Sequence, residues 1–386
     1  MSGNTVSESL RGLLEWAREY AEEARRLCAR CHLCTAACVS YHALRSPLYT
    51  PARRIEAAAK VLRGEPIGDK DLEVLYTCTM CGACTALCPY GIEVWRLVHA
   101  ARAKLSLEGK QPPSLQAIAE NMLRGGHSFT PSPEQPRRVL VEAARKAEVE
   151  PDSPGRLLYV PSPFETTLYP DVLEASLRAL RSAGLEPTVT TKVLDFGGNA
   201  AFDASRPDAA VSALEKLRGV LNELGAEVVV LSGCGADHKL AAYAEKLGLP
   251  GLGVKTVSLY EAVHGRLEAP GAQLLFPSCG FARFEAHVCP LLRSMARDAS
   301  VPRDKPPYTM CCGGGGGLNY LREKPLAELR NKIVAWRARK LAAQADSIVT
   351  PCIKCYTVIR HGLLLARLVG RVKVVHMSKL LVQSSY

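Results

Sequence analysis

Two adjacent cysteines, Cys311 and Cys312, run directly into five glycines, Gly313 to Gly317, and no other stretch restricts what the chain can fold into so severely. Neighbouring thiols cannot bridge each other without strain, and a backbone without Cβ atoms can approach a bulky inorganic body closely. A single Cys279 precedes the run, and the pair Cys352 and Cys355 follows it. An α/β unit that brings these segments to one sheet edge gathers five sulfurs around a bulky inorganic group. Zinc or an ordinary cubane is the alternative occupant of such a set.

Two further runs, Cys28, Cys31, Cys34, Cys38 and Cys78, Cys81, Cys84, Cys88, each read C-x2-C-x2-C-x3-C, the second followed by Pro89. In this spacing three sulfurs grip one iron–sulfur cubane while the fourth reaches across to another. The crossed assignment places Cys28, Cys31, Cys34 and Cys88 on one [4Fe–4S] cluster, and Cys78, Cys81, Cys84 and Cys38 on the second. Two runs of four cysteines overshoot the paired C-x-x-C of a structural zinc site. His32, Met80 and Trp95 are expected to pack around the cubanes, and Cys289, ahead of Pro290, to be a small buried hydrophobe.

The fifteen cysteines of this 386-residue chain therefore suit metal in a reducing compartment better than disulfides. Residues 10–27 have helical apolar spacing, a second helix is expected from Thr50 and Pro51 to Gly64, and a third over 92–108. The expected domains are an N-terminal helix (1–27), an α-helical ferredoxin-like domain (28–110), a Pro-rich connection (111–156) wrapped over the surface and partly helical around 114–124 and 137–147, and two α/β units (157–265 and 270–386). The formal charge is +11, and between Arg322 and Lys379 thirteen Lys or Arg face three Asp or Glu. Such a basic domain suits an anionic substrate or acidic partner, and without interleaved aromatics or a DNA-binding motif it does not suit nucleic acid. Neither a signal peptide nor a transmembrane segment is read, nor a glycine motif for flavin, nicotinamide or nucleotide.

The two α/β units form a diverged repeat. Residues 157–163 match 274–279, Phe196-Gly197-Gly198 matches Cys312-Gly313-Gly314, and 228–234 matches the strand leading to Cys352. The positions opposite the five cysteines are Pro163, Asp195, Phe196, Cys234 and Asp237, so the first unit has lost its ligand set. Asp195, Cys234, Asp237 and His238 leave a hard-metal or proton-relay site open there. In the second unit Lys354 reads as a cation beside the cysteines or an exposed loop residue, and His376 as a proton donor or a satisfied core histidine.

From Cys28 onward the chain resembles the D-type iron–sulfur chain of heterodisulfide reductase and the CCG-domain iron–sulfur subunits of glycolate, lactate and anaerobic glycerol-3-phosphate dehydrogenases. The resemblance implies an α+β multidomain fold, with an α-helical ferredoxin-like domain followed by two repeated cysteine-rich CCG domains. It also implies a third, non-cubane [4Fe–4S] cluster on Cys279, Cys311, Cys312, Cys352 and Cys355, which become the catalytic set. The implied function is an oxidoreductase subunit, cytoplasmic or peripheral to the inner face of the membrane, working with a flavoprotein or membrane haem subunit. Two cubanes feed thiol/disulfide chemistry at the CCG site, or the three clusters relay electrons from a flavin-linked 2-hydroxy acid or glycerol-3-phosphate dehydrogenase. A scaffold whose clusters only stabilise the fold is the non-redox alternative.

Overall fold

The computed structural model describes residues 3–195, 198–232 and 252–383. Helix α1 (Gly3–Leu27) buries Leu13, Ala17, Ala21 and Ala24 along one face, the spacing of an amphipathic helix. A short α2 (Val39–Leu44) follows the first cysteine run. Helix α3 (Pro51–Arg63) starts where Thr50 Oγ1 accepts from Arg53 N at 3.3 Å and stops at Gly64, whose φ is 79°. Helices α4 (Asp69–Tyr76) and α5 (Ala83–Leu87) flank the second cysteine run, and α6 (Val94–Leu107) then packs back on α3 and α1. Three consecutive buried alanines, Ala57 to Ala59, let these helices approach closely.

The Pro-rich connection is not draped over the surface. Its helix α7 (Pro113–Gly125) buries Leu115, Ile118, Ala119 and Met122, and His127 and Ser128 just beyond it are fully buried. Helix α8 (Glu134–Lys146) places Leu140, Ala143 and Ala144 in one core with Leu173 and Leu177 of α9 (Pro170–Ser182). Prolines here begin helices, at positions where their missing N–H would have had no partner.

Strands β1 (Leu157–Val160), β2 (Pro187–Thr188), β3 (Val228–Leu231) and β4 (Lys255–Ser258) form an all-parallel sheet in the order β2-β1-β3-β4, with Leu157 opposite Val228 and Val228 opposite Lys255. Helices α10 (Gly198–Ala204) and α11 (Pro207–Leu224) lie between β2 and β3, and α12 (Leu259–Val263) follows β4. A two-residue β5 (Leu267–Glu268) leads to the second sheet, where β6 (Leu274–Leu275), β7 (Ser347–Thr350) and β8 (Lys373–His376) pair in parallel in that order. Leu274 also bridges Ser300 in parallel, on the side of β6 that corresponds to β2 beside β1. Helices α13 (Val288–Met295) and α14 (Leu326–Ala342) precede β7, and α15 (Ile353–Leu365) connects it to β8. Finally β9 (Val382–Gln383) returns to pair antiparallel with β5.

The molecule therefore mixes a helical N-terminal unit with two parallel sheets. One hydrophobic core joins α1, α3 and α6 to α11 and to Cys311, Cys312, Cys352 and Cys355; a second joins α8 and α9 to the second sheet. Each core crosses from one unit into another. No described helix is long and apolar enough to cross a membrane.

Candidate iron-sulfur sites

The two ferredoxin-like runs are built alike. Arg30 and Met80, each just before the second cysteine of its run, have φ of 52° and 47°, and His32 and Gly82, just after it, have φ of 62° and 74°. Paired left-handed residues coil each loop tightly around its second cysteine, a conformation that costs a non-glycine residue about 1 kcal/mol. Each run then enters a short helical turn, Leu33–Ala37 or α5, that carries its third cysteine and ends at its fourth.

Burial pushes the Cys34 thiol up to about 11, and the neighbouring Cys28, Cys38, Cys88 and Cys31 add to the effect. Cys84 is raised by burial and then by Cys81, Cys78 and Cys38. Each third cysteine thus has a sulfur of the other run beside it, Cys88 near Cys34 and Cys38 near Cys84. Crowded, buried thiols resist ionisation unless a cationic centre takes their charge, as iron does.

Arg54 gives a second test of fit. Its buried guanidinium donates through Nη1 to Cys38 Sγ at 3.2 Å, while Nε and Nη2 have no hydrogen-bond partner. Two buried N–H groups left unpaired would each lose about 1–3 kcal/mol. The sulfides of an iron–sulfur cluster beside Cys38 would supply the acceptors that Nε and Nη2 lack. The donor set therefore fits a cubane.

Cys279 and Cys352 of the third set lie just after the C-terminal ends of β6 and β7. Cys279 follows Ser278, whose φ is 65°, and Cys352 caps α15 by accepting from Cys355 N at 3.4 Å. The Cys311 thiol is in hydrogen-bonding contact with Cys279, Cys312 and also Cys81 of the second ferredoxin-like run; these contacts, Cys279 first, hold its proton on. Cys312 contacts Cys311 and Cys355 and is lowered by them, and Cys355 is raised through Cys312 and Cys352. The five sulfurs form one continuous string. Among the described residues no three His, Cys, Asp or Glu side chains close around a single ion. Cys311, Cys312, Cys352 and Cys355 are buried, whereas Cys279 is half-buried.

The glycines were expected to approach the inorganic group; their tight contacts lie elsewhere. A Cβ on Gly315 would stand 2.6 Å from Thr79 O, one on Gly316 2.5 Å from Cys78 O, and one on Gly317 2.7 Å from Asp203 O. Gly314 is closed off by Val358. The run is a bearing surface on which the second cysteine loop and α10 rest. Arg102, fully buried, fastens it by donating to Gly316 O at 2.6 Å and to Cys78 O at 2.9 Å. Arg283 donates to Cys81 O and Thr309 O, both at 2.7 Å.

Other expectations are corrected. Lys354 is neither exposed nor on a loop: it is buried in the first turn of α15, ion-paired with Asp203 and 5.3 Å from the Tyr320 ring centre. His32 is exposed and does not shield a cluster; Met80 and Trp95 are buried. His376 bonds Ser378 Oγ through Nδ1 at 2.9 Å, and burial lowers its pKa to about 4, so it is neutral and holds no spare proton near pH 7. Cys289 is buried near the start of α13. Asp195 accepts from Ser128 N at 2.9 Å. Phe196, Cys234, Asp237 and His238 lie outside the described residues. Sequence reasoning missed Arg54, Arg102 and Arg283; the available signal was an arginine on the buried stripe of an alanine-rich helix, at Arg54 beside Ala57, Ala58 and Val61.

Comparison with known proteins agrees with this arrangement. The 4Fe-4S dicluster domain family matches residues 25–92, and the cysteine-rich CCG domain family matches residues 274–360. The chain is 26% identical to the glycolate oxidase iron-sulfur subunit of Escherichia coli K12, over 87% of this chain and 90% of that protein. It is 23% identical to an uncharacterized iron-sulfur protein of Methanococcus maripaludis, over 88% of this chain and 68% of the relative. One of the subunits of the fumarate reductase (CoM/CoB) of Methanothermobacter marburgensis is 25% identical over 80% of this chain and 61% of its own length. No solved structure matches.

Proposed function

We propose that this chain, an iron–sulfur subunit of an oxidoreductase that joins a 4Fe-4S dicluster domain to a C-terminal CCG domain, conducts electrons through three sulfur-lined centres in series to or from a flavoprotein that oxidises a 2-hydroxy acid. Bound at these centres, two cubanes and a non-cubane cluster would supply one-electron transfer. The observation that carries the reading is the contact between Cys81 and Cys311, sulfurs from different domains and different cysteine sets.

The residues give the series a direction. Cys31 is exposed, whereas Cys38, Cys78 and four of the five cysteines of the third set are buried, so a redox partner meets the first run at the surface. Arg54, Arg102 and Arg283 hold the interfaces and keep positive charge beside the sulfurs of the second centre. The likeness to the glycolate oxidase iron-sulfur subunit, nearly end to end, supports a relay that acts beside a partner oxidising a 2-hydroxy acid. The first sheet, ordered like the second, reads as a scaffold copy of the CCG unit whose ligands have been replaced.

A second reading is thiol/disulfide chemistry at the CCG set, favoured by the half-buried Cys279, where a substrate sulfur has access. Iron and cluster content decide the common ground: three four-iron centres predict roughly twelve irons per chain and an electron paramagnetic resonance signal unlike a cubane's. A chain carrying zinc, or iron that ignores dithionite and oxidant, refutes both readings. Reduction of the clusters by a 2-hydroxy acid in the presence of its flavoprotein favours the relay, and turnover of a mixed disulfide with reduced viologen favours the second.

A further inference from the structure

A cavity of about 630 Å³ opens beside the CCG set, walled by one face of α7, the turn after β1, the residues following the glycine run and one face of α15. Its volume is that of a small-molecule site. Phe129, Phe164 and Tyr320 form its apolar wall, with ring centres 4.8, 5.7 and 6.3 Å apart. Arg322, Arg330 and His361 all line it, and no Asp or Glu does.

This is an unusual balance of charge. Arg330 spends Nε on Asn331 Oδ1 and Nη1 on Leu321 O, and neither it nor Arg322 has a carboxylate partner among the described residues. Glu323, next to Arg322 in sequence, turns its carboxylate to Ser114 N at 2.6 Å and Ser114 Oγ at 2.7 Å. Burial and then Arg322 weigh against the charge of Arg330, and burial and then Arg330 weigh against a proton on His361. An anion placed among them relieves both penalties. Asn319 Oδ1, also at the wall, is buried without a hydrogen-bond partner, so a bound donor or a water has an acceptor waiting.

We propose that this cavity binds a small organic carboxylate with a planar apolar body, its anionic end between Arg330 and His361 and its body against the Phe129, Phe164 and Tyr320 rings. Guanidinium and imidazole match a carboxylate in charge and donor geometry, and the near-parallel Phe164 and Tyr320 rings with Phe129 set edge-on to Phe164 match a flat apolar surface. The site stands one side chain from the CCG set, because Val358, which lines the cavity, also closes against Gly314.

The test is calorimetric titration of the purified full chain with 2-naphthoate, using 2-naphthamide as the neutral isostere. Naphthoate should bind with a sub-millimolar constant and the amide at least tenfold more weakly. Arg330→Gln should reduce naphthoate to the level of the amide and leave the amide unchanged, while Phe129→Ala should weaken both. Equal affinity for acid and amide, binding indifferent to Arg330→Gln in a variant with unaltered thermal unfolding, or no naphthoate binding at millimolar concentration overturns the proposal.

Discussion

Arg54 shows how much one buried side chain can govern. A guanidinium that donates to Cys38 Sγ and has two more N–H groups unspent stabilises extra negative charge on whatever Cys38, Cys78 and Cys84 hold. Arg54→Gln should lower the midpoint potential of one centre by about 60 mV or more, a decade for a one-electron couple, while leaving the other two in place. A redox titration followed by paramagnetic resonance reads this directly, and an unmoved midpoint with full iron content contradicts it. Glu165 is a different case. Burial raises its pKa to about 7, against hydrogen bonds from Ser162 N at 2.7 Å and Tyr159 OH at 2.8 Å. Because folding strengthens its hold on the proton, its stabilising contribution is complete below the unfolded value near 4.5 and disappears as pH climbs through about 7. Glu165→Gln, which mimics the protonated acid, should therefore match the parent near pH 4.5 and exceed its unfolding free energy by up to about 3 kcal/mol at pH 8. Denaturant unfolding across that range would show no widening gap if the carboxyl were ordinary.

At the scale of elements, what could be read in advance was whatever is settled within a few residues of chain. Thr50, Pro51 and Gly64 mark the ends of α3 because a cap and a left-handed stop are local events, and the C-x2-C loops are legible for the same reason. The glycine run was legible only in part. Five missing Cβ atoms announce close contact, but not that the contact is Cys78, Thr79 and Asp203, which lie more than a hundred residues away in sequence. His32 misled because its position beside Cys31 suggested shielding, whereas its φ of 62° turns the loop and leaves the ring exposed. Gly316 and Gly271 separate backbone strain from lost contact. Both have positive φ, 59° and 73°, but a methyl on Gly316 meets Cys78 O at 2.5 Å and one on Gly271 meets nothing within 4 Å. Gly271→Ala should cost about 1 kcal/mol and Gly316→Ala about 3 kcal/mol or more, with altered spectra of the second centre only in the latter. Equal destabilisation in thermal melts would mean that the docking surface is not tight.

For the molecule as a whole, the crossed assignment makes a claim about which domain owns which ligand. Cys38, in the first run, lies near both Cys34 and Cys84, and Cys88, in the second run, lies near Cys34. Cys38→Ser should thus remove about four irons together with the signal that Arg54→Gln shifts, and Cys88→Ser about four irons with the other cubane signal. Loss of the same signal in both variants would show that each run keeps its own fourth ligand. The shared cores explain why the arginine fasteners escaped sequence reading: Arg102 bonds Gly316 across 214 positions, and no pattern within either segment records the other. The touching sulfurs of Cys81 and Cys311 have one more outcome. With irons bound behind both, no insulating layer would separate the two compartments, and an electron lodged in one would repel the next arrival at its neighbour. Such a conduit would fill one link at a time and discourage double occupancy, passing charges singly rather than storing pairs.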